Sequence, residues 1–223
     1  MYAIELKHVE KKYLNDVDNF KLKDINLKLE YGKIYGIVGH SGNGKSTLLK
    51  TMGTLLQPSK GDVLIDDINT SKLNDDDVSK IRMEKIGFVF QDYNLDNDLI
   101  AYDNVMLASI LNKKNNKKEK EKIINELFEK FNLKNKKNKY PKELSGGEAA
   151  RVALCRALVN EPSIILADEP TGNLDKTNEK IIFETLKNLA KDGKCVVIVS
   201  HSQEIKKYVD EIIEIEDGKI KDE

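Results

Sequence analysis

A nine-residue run, Gly39-His40-Ser41-Gly42-Asn43-Gly44-Lys45-Ser46-Thr47, narrows the possible folds of this chain more than any other stretch. It has the spacing G-x-x-x-x-G-K-[ST]. Glycines lack a Cβ, so the backbone N–H groups around them can turn inward on an anion. An unbroken apolar segment, Ile34–Val38, precedes the run and predicts a strand buried on both faces. A helix is predicted after it over residues 45–55, with its positive end toward the same anion. Strand, glycine-rich turn and helix in that order make a cradle for a triphosphate. In such a cradle Lys45 reaches the β and γ phosphates and Ser46 ligates Mg2+. All nine residues are candidates for nucleotide contact, His40, Ser41 and Asn43 among them at variable positions. Lys45 is a catalytic candidate as well.

The rest of the chain supplies a sheet to carry that loop. Apolar and polar residues alternate over 3–9 and 22–29, which predicts half-buried strands, with a turn at 31–33. Further strands are predicted at 62–65, 86–90, 163–167 and 195–200. Helices are predicted at 75–84 and 177–190, and a short one at 202–208. From about residue 98 to 160 the periodicity is helical. Residues 211–215 and Lys219–Ile220 flank Asp217-Gly218, a hairpin signal. Strands alternating with helices imply a mostly parallel sheet covered on both faces. The Lys- and Asn-rich runs 112–122 and 134–139 read as solvated loops or exposed helix faces, with no binding role.

Three predicted strands end in polar groups suited to the same chemistry. The apolar strand at 163–167 runs into Asp168 and Glu169. A carboxylate at the carboxyl end of a parallel strand lies where α/β sheets bind ligands. Asp168 fits a Mg2+ role, and Glu169 is placed to act as general base or to position the attacking water. His201 follows the strand at 195–200 and can hydrogen-bond the γ-phosphate. Gln91 follows Phe90, and its amide can meet Mg2+ and water. Glu169, His201, Gln91 and Lys45 form the candidate catalytic set; Ser46, Gln91 and Asp168 form the candidate Mg2+ set.

Composition excludes several other classes. With 37 basic and 38 acidic residues among 223, net charge is −1, so no bulk positive charge points to nucleic acid. Only three of the basic residues are arginines: Arg82, Arg151 and Arg156. No stretch reaches the roughly 18 apolar residues of a membrane-spanning helix. Charges interrupt the N-terminal segment where a signal peptide would be apolar. Cys155 and Cys195 belong to no C-x-x-C pair and read as reduced, buried thiols. A soluble, cytoplasmic protein without direct membrane insertion is expected, with any membrane role exerted through a partner.

Leu144-Ser145-Gly146-Gly147-Glu148 is a second glycine-rich turn at a predicted helix start. It resembles the signature motif of ABC ATPases. The order of elements is also similar to that family: Tyr13, the phosphate loop 39–47, Gln91, the signature 144–148, Asp168-Glu169, Asn173-Leu174-Asp175 and His201. The resemblance covers essentially the whole chain. It implies one ABC ATPase domain over 1–223, of class α/β. The implied core is a P-loop NTPase (RecA-like) fold with a mostly parallel sheet and an N-terminal antiparallel β subdomain. Residues 1–91 and 160–223 would form the β subdomain and core, and 92–159 an inserted helical subdomain hinged at Gln91. The cofactors implied are ATP and Mg2+. Tyr13 would stack on adenine. Ser145, Gly146, Gly147 and Glu148 would face the ATP held by another subunit, and Leu174 and Asp175 would link the two sites. Ser145 and Gly147 have no evident use within their own subunit, which makes a homodimer, or a heterodimer with a like subunit, part of the expected mechanism.

The fifth signature position is commonly Gln, and here it is Glu148. An acid there removes an amide donor and adds negative charge near a nucleotide. The segment Thr171-Gly172-Asn173-Leu174-Asp175 is similar to the branch of lipoprotein-release, macrolide-export, antimicrobial-peptide-resistance and cell-division ATPases. That branch implies a separate integral membrane permease, and a chain peripheral to the inner face of the cell membrane. The chain ends soon after the Asp217-Gly218 hairpin, so neither a fused membrane domain nor a C-terminal regulatory domain is expected. The alternative is a soluble ABC ATPase of a non-transport assembly, such as iron–sulfur cluster assembly.

Overall fold

The computed structural model describes residues 2–13 and 20–221. The outer bounds 1 and 223 of the expected domain therefore lie outside the described residues. Two sheets share the work. Strands β1 (Ile4–Lys12), β2 (Phe20–Leu29), β4 (Lys60–Ile65) and β5 (Ile68–Asn69) form an antiparallel sheet in the order β2-β1-β4-β5. The second sheet also takes in β3 (Ile34–Val38), β6 (Ile86–Val89), β7 (Ile164–Asp168), β8 (Cys195–Val199), β9 (Glu211–Glu216) and β10 (Lys219–Ile220). Its order is β10-β9-β3-β8-β7-β6. Every pair from β9 to β6 is parallel, and only β10 runs against its neighbour. The β9–β10 turn is made by Asp217 at φ 48° and Gly218 at φ 78°. Both central residues at positive φ is the geometry that matches the twist of a hairpin.

All five residues of β7 are buried, as are all five of β8. Alternation sends their side chains to two separate cores. Ile165, Ala167, Val196 and Ile198 pack on one side with α5 (Gly146–Leu158) and α6 (Lys176–Lys191). Ile164, Leu166, Cys195, Val197 and Val199 pack on the other with Leu48, Leu49 and Met52 of α1 (Lys45–Met52). The same core takes Ile4, Leu6 and Val63 of the antiparallel sheet, so α1 is clamped between the two sheets. Each fully buried aliphatic side chain contributes roughly 1.5–3 kcal/mol.

Between β6 and β7 the chain is helical. It forms α3 (Ala101–Ser109), α4 (Lys117–Lys130) and α5, which pack on one another. α2 (Asp75–Lys85) precedes β6. Polar caps set the helix starts: Asn74 accepts from the Asp77 N–H, and Asn116 from the Glu119 N–H. Several ends differ from the periodicity. α1 stops at Met52 rather than 55, because Gly53 caps it and Thr54 turns to φ 58°. The segment 202–208 is a 3-10 turn, Gln203–Lys207, and β5 is too short for alternation to announce it. No helix among the described residues is long and apolar enough to cross a membrane.

Cys155 and Cys195 are both free and fully buried. Burial pushes the Cys155 thiol far up and the Cys195 thiol up to about 12. Neither is expected to react with iodoacetamide at pH 8 until the protein unfolds, since the thiolate is the nucleophile. Rapid labelling of the native protein, followed by mass spectrometry, would contradict this packing.

Candidate functional site

Parallel neighbours place their carboxyl ends on one edge of the sheet. β3, β8, β7 and β6 are such neighbours, so the phosphate loop, His201, Asp168-Glu169 and the turn holding Gln91 leave the same edge. Gly44 sits at φ 99° directly before α1, where a Cβ would meet the Lys21 carbonyl oxygen at 2.4 Å. Only glycine satisfies both conditions. The Lys45 side chain folds back into the loop and donates to the carbonyls of Gly39 and His40, both at 2.8 Å. Its ammonium has three protons, so one is left for a further acceptor. Burial lowers the Lys45 pKa, while Glu169 and Asp168 act in the opposite direction. Burial thus disfavours the charged ammonium, and the two carboxylates partly offset that cost.

Ser46 donates its hydroxyl to Asp168 Oδ1 at 2.9 Å. A hydroxyl and one carboxylate, both hard oxygen donors, match the few protein ligands that Mg2+ takes beside phosphate and water. Gln91 does not end the strand as expected. β6 stops at Val89, and Gln91 lies exposed in the following turn. Glu169 adopts φ 47°, rare for a non-glycine residue, with its N–H held by the Val199 carbonyl at 2.9 Å. Its Oε1 lies 3.0 Å from His201 Nε2. The backbone turn after β7 therefore brings two side chains from adjacent strand ends into one pair. Tyr13 is exposed, with its hydroxyl 3.3 Å from Thr47 Oγ1, so its ring stands beside the phosphate loop. Asn43 is anchored by Nδ2 to the Ile215 carbonyl at 3.1 Å.

The second glycine-rich turn is the start of α5. Ser145 is its N-cap, and its Oγ accepts from the Glu148 N–H at 3.3 Å. Glu148 Oε2 accepts in return from the Ser145 N–H at 2.9 Å, completing a capping box. Ser145 and Gly146 are exposed and Gly147 is buried. A Cβ at Gly147 would lie 2.2 Å from Asn178 Oδ1. Asn178 donates to Asp175 Oδ2 at 2.7 Å and accepts from Arg151 at 3.2 Å. Asp175 caps α6 by accepting from the N–H groups of Thr177 and Asn178, contacts that lower its pKa. Leu174 is half-buried and packs on the larger helical core.

A family model described as ABC transporter matches residues 22–172. The chain belongs to the ABC transporter family. An ABC transporter ATP-binding protein of Methanocaldococcus jannaschii, MJ0796, is 44% identical over 225 residues, covering 99% of this chain and 96% of that one. The lipoprotein-releasing system ATP-binding protein LolD of Buchnera aphidicola is 42% identical over 200 residues, 89% of this chain and 87% of its own. The macrolide export ATP-binding/permease protein MacB of Campylobacter jejuni is 41% identical over 203 residues, which span 91% of this chain and 32% of MacB. Among solved structures, a post-hydrolysis dimer of MJ0796 bound to ADP and Pi superposes with TM-score 0.91 at 41% identity, covering 98% of this chain and 97% of that one. The resemblance to the lipoprotein-release and macrolide-export branch is thus matched by named relatives, and the protein is an ABC-type ATPase.

One expectation about this ABC ATPase needs correction. Ser145 and Gly147 do have uses within their own chain: one caps α5, and the other makes room for Asn178. A hydroxyl can accept from its helix and still keep its proton to donate, so the cap leaves Ser145 free for a second contact. The negative charge that Glu148 adds has partners within the chain. Its carboxylate turns back to the Ser145 N–H and to Lys136, 3.0 Å away, and these contacts hold its pKa below the usual carboxylate value. Sequence reading also missed Arg151, Asn178 and Lys136. Arg151 lies one helical turn beyond Gly147, a spacing that places it beside the signature, whereas Asn178 reaches Gly147 only through the packing of α6 on α5.

Proposed function

We propose that this chain is the ATP-driven subunit of a membrane transporter and works as a head-to-tail dimer with two ATP molecules between the subunits. The convergence of Lys45, the Ser46–Asp168 pair and the Glu169–His201 pair on one sheet edge carries the reading. The loop 39–47 cradles the phosphates, with the free proton of Lys45 on the β and γ groups. Tyr13 stacks on adenine. Ser46, Asp168 and Gln91 would hold Mg2+, which supplies positive charge against the phosphate oxygens. Glu169 accepts a proton from the attacking water, and His201 orients Glu169 and the γ-phosphate. Ser145, Gly146 and Gly147 of one subunit meet the γ-phosphate held by the other, at a helix N-terminus suited to an anion. Asp175, tied to that helix through Asn178, and its neighbour Leu174 report the state of one site to the other. The γ-phosphate is present before hydrolysis and absent after it, and that difference opens and closes the dimer.

Names of relatives support a permease as the partner: MacB joins an ATP-binding part and a permease, and LolD serves a lipoprotein-releasing system. A surface groove of about 850 Å³ between α2, β6, α3 and α5 fits such a partner. Leu107 and Leu111 stand on its rim, 54% and 77% exposed. Arg82 and Arg156 line it, with their guanidiniums on carbonyl oxygens of Thr54 and Tyr93. Apolar rim and positive wall suit a cytoplasmic permease segment carrying an apolar anchor and an acid. The chain then sits peripherally on the inner face of the membrane. Purification from detergent-solubilised native membranes is expected to yield a membrane-spanning subunit in stoichiometric amount, and Leu111→Glu to reduce that yield about tenfold or more. Recovery with soluble assembly proteins alone would overturn the transporter reading.

A further inference from the structure

The signature of this chain carries an acid, Glu148, at the helix start that the proposed dimer presents to a triphosphate. A carboxylate facing that anion would oppose closure twice over, once in each site. Lys136 answers it, with Nζ 3.0 Å from Glu148 Oε1. The pair is half-shielded: the Glu148 side chain is 20% exposed and that of Lys136 38%. Backbone bonds hold Lys136 in place. It belongs to a 3-10 turn, Lys134–Lys136, with its N–H on the Leu133 carbonyl at 2.8 Å. The next residues are pinned to the start of α3, where the N–H groups of Tyr102 and Ala101 donate to the carbonyls of Lys137 and Lys139 at 3.0 and 2.7 Å. Neighbouring lysines are engaged elsewhere: Lys134 with Glu129, Lys137 with Asn125, and Lys139 with Glu143.

We infer that Lys136 is a positioning residue of the shared nucleotide site: it neutralises Glu148 and keeps its carboxylate in the capping box, so that the Ser145 hydroxyl and the glycine N–H groups meet the partner's γ-phosphate unopposed. The inference rests on the dimer proposed above. It gives the run 134–139 a role in the chemistry that its composition does not reveal. It also makes residues 136 and 148 a unit. A Gln at 148 still caps the helix and needs no counter-ion, whereas a Glu at 148 needs Lys136.

The test uses full-length protein carrying Glu169→Gln, so that ATP is retained, with dimerisation measured by analytical ultracentrifugation in MgATP. Lys136→Ala is expected to raise the dimer dissociation constant about tenfold or more. Adding Glu148→Gln to Lys136→Ala is expected to recover most of that loss. A loss caused by a disturbed fold would not be recovered this way, because the second substitution removes charge and restores no packing. Two results overturn the inference alone: Lys136→Ala dimerising like its parent, or the double variant remaining as weak as Lys136→Ala. A parent that stays monomeric in MgATP would remove the dimer reading and this inference with it.

Discussion

Glu169→Gln is expected to lower steady-state phosphate release about 100- to 10,000-fold, the range a general base contributes, while ATP binding persists. Glutamine keeps the shape of the side chain and its hydrogen bonding to His201, so the pair at 3.0 Å is not forced apart. It also keeps the unusual backbone at φ 47°, which the Val199 carbonyl secures through the residue's N–H rather than through its side chain. What is lost is the negative oxygen able to take a proton from water. ATP held without turnover keeps the γ-phosphate in both sites, so the variant is expected to accumulate as an ATP-bound dimer by analytical ultracentrifugation. Turnover within about twofold of the unmodified protein would exclude Glu169 as the base.

The second large effect falls on the other half of the site. Ser145→Arg is expected to raise the ATP-dependent dimer dissociation constant about 100-fold or more and to remove most turnover, since a site with one subunit's contacts missing is incomplete. Ser145 is exposed at the α5 N-cap, so the larger side chain has room to extend into solvent in the monomer. In the dimer it would occupy the space of the partner's phosphate. Loss of the cap by itself costs about 1 kcal/mol. Ser145→Ala loses that cap without adding bulk and serves as the comparison. ATP affinity of the monomeric protein, set by the loop around Lys45, is expected to change little in both variants. Unchanged ATP-dependent dimerisation of Ser145→Arg would refute contact across the dimer.

Local patterns told most about this protein where a function is built from consecutive residues. The loop 39–47 and the paired acids Asp168-Glu169 depend on spacing within one segment, and spacing is visible in a string. The parallel sheet was legible for the same reason, from fully apolar runs such as Ile34–Val38 and Cys195–Val199 between helical stretches. Contacts between distant segments were not. Lys136 meets Glu148 from a 3-10 turn whose following residues, Lys137 and Lys139, are bonded to the start of α3. Asn178 is one polar residue among several on α6 until Gly147 and Arg151 are packed beside it. Glu148 shows the limit most clearly. Its charge is plain in the sequence, but the direction its carboxylate takes is decided by two partners, the Ser145 N–H and Lys136.

Lys45 bridges the carbonyls of Gly39 and His40 from within its own loop. Much of the conformational entropy of that glycine-rich segment is therefore surrendered when the chain folds rather than when the nucleotide arrives. On the proposed reading, ATP would meet a surface already shaped, leaving the free energy of phosphate contact available to draw a second subunit in.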